Sequence, residues 1–110
     1  MQKSSLTALA REQLAAALRS PNGRSAATVF GGHERRLRQT VIALAAGEML
    51  SDHDNPGEAT VLVLTGRVRL AADEASWDGA EGDLINVPHA RHNLTALEDS
   101  AILLTAVPRH

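Results

Sequence analysis

Residues 82–93, GDLINVPHARHN, hold the pattern that decides the fold of this chain, together with residues 47–66, GEMLSDHDNPGEATVLVLTG. Both segments begin with a glycine, and both carry an imidazole, His92 or His53, close to a turn between extended runs. Short runs rich in β-branched residues and bounded by Gly, Pro and Asn are typical of strands. A strand, a turn and a second strand with a histidine beside the turn is an arrangement by which a small β-barrel places nitrogen ligands or bases inside its mouth.

The rest of the chain after residue 24 has the same extended character. Within residues 67–70, Arg-Val-Arg-Leu, polar and apolar side chains alternate as expected for a half-buried strand. Short strands separated by regularly spaced turns predict an all-β sandwich or barrel. The predicted strands are 26–30, 37–45, 60–64, 67–70, 84–87 and 101–107, with turns at 65–66, 73–74, 78–79 and 96–100.

The first segment of the chain predicts one amphipathic helix over residues 5–19. Ser4 or Ser5 is a suitable N-cap, and residues 21–23, Pro-Asn-Gly, end the helix. Its apolar positions fall at three- and four-residue spacing and are expected to pack on the outside of the barrel or on a partner subunit: Leu6, Leu9, Ala10, Leu14, Ala17 and Leu18. The predicted organisation is a helix and cap over residues 1–23 and a barrel over 24–110, forming one domain overall.

Composition excludes several classes of function. The 110 residues contain no cysteine, which excludes disulfides and thiolate chemistry. A net charge of −2 and only two aromatic residues, Phe30 and Trp77, argue against a nucleic-acid partner. No run approaches the roughly 18 apolar residues of a membrane span, and the first twenty residues lack the apolar core of a secretory signal. We therefore expect a cytoplasmic protein with neither a membrane nor a nucleic-acid partner.

The run Val61–Leu64 is apolar at every position, which predicts a strand covered on both faces. The N-terminal helix or a second subunit would supply the outer cover. We expect a homodimer.

The two glycine-bounded segments resemble the motifs of the cupin superfamily, G-x5-H-x-H-x3-E-x6-G and G-x5-P-x-G-x2-H-x3-N, and the resemblance extends from about Arg24 to Val107. Gly47, His53 and Gly66 occupy conserved positions of the first motif; Gly82 and Pro88 occupy those of the second. Two departures fall at ligand positions, where Asn55 replaces a histidine and Ala59 replaces a glutamate. In the second motif Ala90 replaces a glycine, and His92 comes one residue early. The resemblance implies a small jelly-roll barrel of the cupin-2 type, commonly dimeric.

The resemblance also implies a pocket that contains His53, Asn55, His89 and His92. Residues two apart in a strand share a face, so His53 and Asn55 are expected to point inward towards His92. A divalent transition metal (iron, manganese, zinc or nickel) would use His53 and His92, with His89 as a third ligand or with Glu58 if the turn at residues 56–57 rotates the strand by one position. Such ions generally take three or four protein ligands.

Three functions remain open at this point. The first is a small-molecule binding module whose two-histidine site is degenerate, and the second is a metal-dependent enzyme of the dioxygenase, isomerase or decarboxylase class. The third is a non-catalytic structural dimer. His53 or His92 could also act as an acid or base without metal.

Charged and terminal residues elsewhere are expected to be ordinary surface groups. His33 is interpreted as a turn residue and His110 as a terminal one. The arginine pairs at positions 36 and 38 and at 67 and 69 are expected on the solvated face in salt bridges, although a pair at the barrel mouth could hold a carboxylate or phosphate.

Overall fold

The computed structural model describes residues 3–32, 34–53 and 57–108, except for the side chains of Asp52 and His53. One helix, α1 (Leu6–Arg19), precedes nine strands. The strands are β1 (Arg24–Phe30), β2 (Arg38–Leu44), β3 (Met49–His53), β4 (Gly57–Thr65), β5 (Arg67–Ala72), β6 (Ala75–Ala80), β7 (Leu84–Asn86), β8 (His92–Ala96) and β9 (Ser100–Pro108). The prediction of an all-β jelly-roll barrel with one N-terminal α-helix is confirmed.

Two antiparallel sheets form the barrel. The five-stranded sheet has the order β1-β2-β9-β4-β7, and the four-stranded sheet has the order β3-β8-β5-β6. Strands of both sheets contribute to one apolar core, because alternate residues of each strand point to the same face. Its buried members are Leu44, Val61, Val63, Val68, Leu70, Ile85, Val87, Leu94, Ala96 and Ile102.

The helix covers the outer face of the five-stranded sheet. Ser5 is the N-cap, and its Oγ accepts a hydrogen bond from the Ala8 amide (3.2 Å). Small residues form the contact with the sheet and are fully or almost fully buried, which lets the helix lie close to the strands: Ala10, Ala17, Ala43 and Ala101. The predicted helix and its packing on the barrel are confirmed, except that Leu18 is 55% exposed and does not belong to the buried face.

Helix α1 also covers the outer face of the apolar run in β4. Val61 and Val63 lie in the barrel core, whereas Leu64 packs with the helix cluster on the opposite side. A second subunit is therefore not needed to cover Leu64.

The structure contains three strands, β3, β6 and β8, for which the sequence predicted no range. Asp78 and Gly79 do not begin a turn; they lie inside β6, opposite Arg69 and Val68 of β5, and the turn falls at residues 81–82. Gly79 packs closely on the opposite sheet, since a Cβ at this position would lie 2.9 Å from Ile85 Cδ1 and would require that side chain to shift. For β8, the strand that carries His92, the sequence predicted an extended run beside the turn but no range.

Gly66 joins β4 to β5 in a conformation that disfavours other residues. Its φ is +85°, and an added Cβ would overlap the Asp99 carbonyl oxygen and Ser100 Oγ. The buried Ser100 hydroxyl accepts a hydrogen bond from the Arg67 amide (3.0 Å) and lies 2.7 Å from the Glu98 carbonyl oxygen. This final glycine of the first motif therefore allows close contact with the start of β9.

Candidate functional site at one end of the barrel

The backbone places His53 directly opposite His92. Strands β3 and β8 are antiparallel, and His53 and His92 are Cα partners in their ladder, beyond an irregularity that follows Leu50. Directly opposite positions in such a ladder share a face of the sheet and are about 4.5–5.5 Å apart. The register supports the predicted two-histidine site, which stays a prediction because the His53 side chain lies outside the described part of the chain.

His92 belongs to the interior of the barrel. Along β8 the buried residues are His92, Leu94 and Ala96, which alternate with half-buried Asn93 and Thr95. The His92 side of the strand therefore faces the apolar core, and its residue is only 5% exposed. A buried imidazole needs hydrogen-bond partners, since burial of an unpaired polar group is unfavourable.

The hydrogen bond of the His92 ring defines its tautomer. Nδ1 lies 2.9 Å from the Ala90 carbonyl oxygen, which can only accept, so Nδ1 carries the proton and donates it. In the neutral ring Nε2 is then the acceptor nitrogen. This geometry prepares Nε2 to accept a hydrogen bond or to bind a cation.

The other predicted site residues are not brought into the interior by the described structure. His89 is exposed in the bend between β7 and β8. Glu58 is exposed, while its neighbour Ala59 packs against the barrel core. The rotation of the strand by one position that Glu58 would need is therefore not observed. Asn55 lies outside the described residues, as do His33 and His110.

A metal site of three donors is not formed by the side chains that the structure describes. Among them, no group of three His, Asp or Glu residues is close enough to hold an ion. At the position where a carboxylate would face the interior, the chain has the methyl group of Ala59. The structure thus establishes the buried His92 ring as one donor. For His53 it establishes the backbone position opposite His92.

Arg67 and Arg69 lie on the exposed face of β5, as predicted. Arg69 forms a bidentate pair with Asp78, with Nε and Nη2 2.7 and 3.0 Å from the two carboxylate oxygens. The hydrogen bonds from Arg69 hold the pKa of Asp78 below its usual value. These residues stabilise the outside of the β5–β6 hairpin and are remote from the interior.

Arg36 and Arg38, near the start of β2, lie in different environments. Arg36 precedes the strand, and its Nη2 donates a hydrogen bond to the Pro108 carbonyl oxygen (3.1 Å). Arg38 begins the strand and is opposite Ala106 of β9. Both are exposed, as expected for the solvated face, but the register puts Arg38 on the side of its strand that faces the core. The alternation of residues along the strand could not reveal this position of Arg38, because alternation does not show which face of a strand lies inside the barrel.

Three clefts of about 380, 480 and 420 Å³ are lined by described residues, and His92 lines none of these three. Two lie beside the N-terminal helix, and the third lies between the edge strands β6 and β7. Exposed Trp77 and Leu84 line the third cleft.

Solved structures resemble this fold closely. A conserved protein of unknown function from Streptococcus pyogenes is 28% identical with a TM-score of 0.73, covering 83% of this chain and 79% of its own. A cupin superfamily protein from Desulfitobacterium hafniense is 19% identical with a TM-score of 0.71, covering 77% of each chain. A cupin 2 conserved barrel domain protein from Salinispora arenicola is 20% identical with a TM-score of 0.68, covering 96% of this chain and 87% of its own.

No protein-family model matches the sequence, and no curated protein matches it. The structural matches show that the chain is a small barrel protein with the fold of the cupin superfamily. In the described part of the chain, no helix is both long and apolar enough to cross a membrane. A fold of this kind can host many chemistries, so the fold alone does not define the activity.

Proposed function

We propose that this chain is a small-molecule binding protein whose ligand site lies at the end of the barrel where His53 and His92 pair. The observation that carries the proposal is the ladder register, which puts the two histidines opposite each other. Buried His92, with its proton held on Nδ1 by the Ala90 carbonyl oxygen, supplies an acceptor nitrogen at Nε2. A ligand hydroxyl or amine would donate to that nitrogen.

The surroundings of His92 suit a small, partly apolar ligand. Ala72, which is 6% exposed, is the direct neighbour of His92 on β5. Ala59 and Val87 pack against the core from the opposite sheet. Pockets for small molecules are commonly lined by apolar groups with a few convergent polar ones, and this end of the barrel has that composition.

A metal-dependent cupin enzyme is the second candidate, and one observation favours it. Histidines that bind metals usually donate their other ring N–H to a carbonyl or carboxylate, as His92 does to Ala90. The described side chains do not provide three ligands.

We also infer a homodimer, in which exposed apolar groups at the sheet edges would be covered. Trp77 is 45% exposed on β6 and Leu84 is 61% exposed on β7, and each of these strands lies at one edge of its sheet. Sedimentation equilibrium of the wild type and of a Trp77→Ser, Leu84→Ser variant tests this inference. A monomeric wild type would contradict it.

The binding proposal is tested by what the untagged protein carries after purification. Metals are measured by plasma mass spectrometry, and small molecules released by denaturation are measured by liquid chromatography and mass spectrometry. We expect a small molecule that is present in the wild type and in His89→Ala but lost from a folded His53→Ala, His92→Ala double variant. If the double variant carries as much of the small molecule as the wild type, the proposed site is contradicted. A stoichiometric metal lost only from the double variant would favour the second candidate.

A further inference from the structure

Arg38 occupies an interior-facing position on the sheet opposite His92. Within the β2–β9 ladder, Ile42 is opposite Ile102 and Thr40 is opposite Leu104, and Ile42, Ile102 and Leu104 all belong to or pack against the barrel core. Arg38 continues the same alternation without a register shift, opposite Ala106. Directly opposite positions share a face, so Arg38 is on the core side of its strand.

The row of residues that contains Arg38 continues across the sheet. Ala106 is also the partner of Ala59 on β4, and Ala59 packs against the core. The Val87 amide donates to the Ala59 carbonyl oxygen (3.0 Å), which extends the row to the buried side chain of Val87. Arg38 is thus the one charged residue in an otherwise aliphatic row of four.

This row lies at the same end of the barrel as the histidine pair. His53 ends β3, and only residues 54–56 separate it from Gly57, the first residue of β4. Gly57 pairs with Pro108, two residues beyond Ala106. Chain connectivity therefore brings the end of β3, the beginning of β4 and the Arg38 row to one rim.

Among the described residues, the guanidinium of Arg38 is not held by the kind of partner that holds Arg69 and Arg36. Asp78 pairs with Arg69, and the Pro108 carbonyl oxygen accepts from Arg36. The Arg38 side chain is exposed, and within the described part of the chain it makes no hydrogen bond or ion pair; its Cγ lies beside Gly31. A guanidinium stays charged at physiological pH and presents a planar fork that matches a carboxylate.

We propose that the ligand of this barrel is a small monocarboxylic acid whose carboxylate binds Arg38 and whose hydroxyl or amino group donates to His92 Nε2. This inference rests on the proposed binding function and specifies its ligand class. One guanidinium matches one negative charge, His92 contributes a ring nitrogen, and the neighbours of Arg38 in its row, Ala106 and Ala59, carry only methyl groups.

The test compares lactate with propylene glycol, which has the same skeleton but no carboxylate, and with glycerol phosphate as an anion of another class. Amide resonances of Ala59, His92 and Ala106 are followed by NMR during titration of the wild type, Arg38→Gln and Arg67→Gln. Arg67 is a matched control, because it is an exposed arginine on the outer face of its strand.

We expect saturable amide shifts with lactate. The affinity for lactate should fall at least about tenfold in Arg38→Gln, as for the loss of a charge-assisted hydrogen bond, and should be unchanged in Arg67→Gln. Equal binding of propylene glycol, or unchanged lactate binding by Arg38→Gln, would overturn the carboxylate inference and leave the histidine pocket standing. Tighter, Arg38-dependent binding of glycerol phosphate would overturn the monocarboxylate class. An absence of shifts with all three compounds also overturns the inference; the proposed function fails as well only if the purified protein carries no ligand that depends on His53 and His92.

Discussion

His92 of β8 is the ladder partner of His53 of β3, although 38 residues separate the two in sequence. On the other side of β8, His92 is the partner of Ala72 of β5. The strand that carries His92 is therefore central in its sheet, which fixes the histidine between two neighbours. A residue held in this way can present Nε2 to a ligand with little loss of side-chain freedom on binding.

Replacement of His92 by alanine is expected to destabilise the fold as well as remove the ligand contact. The ring is buried and bonded to the Ala90 carbonyl oxygen, so the free energy of unfolding should fall by about 2 kcal/mol. Urea denaturation followed by circular dichroism measures this change. Exposed His89→Ala is the control and should change stability by no more than about 0.5 kcal/mol. Equal effects of the two substitutions would show that His92 is not buried as described.

The conformation at Gly66 predicts a large penalty for any side chain. Gly66→Ala combines a positive φ with overlap against Asp99 and Ser100, and we expect a loss of about 3 kcal/mol or more in unfolding free energy. Gly82→Ala is a matched control with a similar φ of +90° and no atom within 4 Å of the added Cβ. It should cost only the conformational strain, about 1–2 kcal/mol. Similar costs for both variants, in chemical denaturation, would argue against the close contact at Gly66.

The exposed pair between Arg69 and Asp78 predicts a titration that is measurable by NMR. Hydrogen bonds from Arg69 lower the pKa of Asp78, so its carboxylate should titrate below the usual aspartate value of about 3.9. The pair contributes to stability above that unfolded-state value, and its contribution is lost as the pH falls through the lower folded-state pKa. In Arg69→Gln the pKa of Asp78 should move back up. An unchanged pKa in that variant would contradict the observed pair.

The contact between helix α1 and the sheet predicts that a larger side chain at Ala17 lowers the stability of the protein. This residue is fully buried among other alanines, so Ala17→Leu should force the helix away and cost about 1–3 kcal/mol. Neighbouring Leu18 is 55% exposed, and Leu18→Ala should have little effect. Thermal denaturation of both variants distinguishes the two positions. A harmless Ala17→Leu would mean that the helix does not pack tightly on the sheet.

Local patterns in the sequence predicted most of the fold. The alternation in residues 67–70 and the cap at Ser5 are local features, and both appear as expected. The turn at Asp78–Gly79 was wrong because its local turn preference is overridden by pairing with β5 and by packing of Ile85 against Gly79. The bounds of β8 were not predicted, because this strand has only five residues and follows closely after Pro88.

The site was only partly predictable. The motif positions of His53 and His92 indicated that the two would be neighbours, and the backbone register agrees. Glu58 faces outward, and Arg38 lies on the core side of its strand. Both positions depend on which face of β4 or β2 lies inside the barrel. Only the long-range pairing of these strands with β9 determines this.

The most direct test of the paired-histidine site uses zinc as a probe of the separation between the two imidazoles. With Zn–N bonds of about 2 Å, one ion can bind both rings only if their nitrogens are within about 4 Å of each other. Histidine ring nitrogens are followed by NMR as Zn²⁺ is added to the wild type, His92→Ala and His89→Ala. We predict that His53 and His92 shift together with one affinity, that His92→Ala greatly weakens the response of His53, and that His89→Ala does not. A response of His53 that persists unchanged without His92 would contradict a shared site.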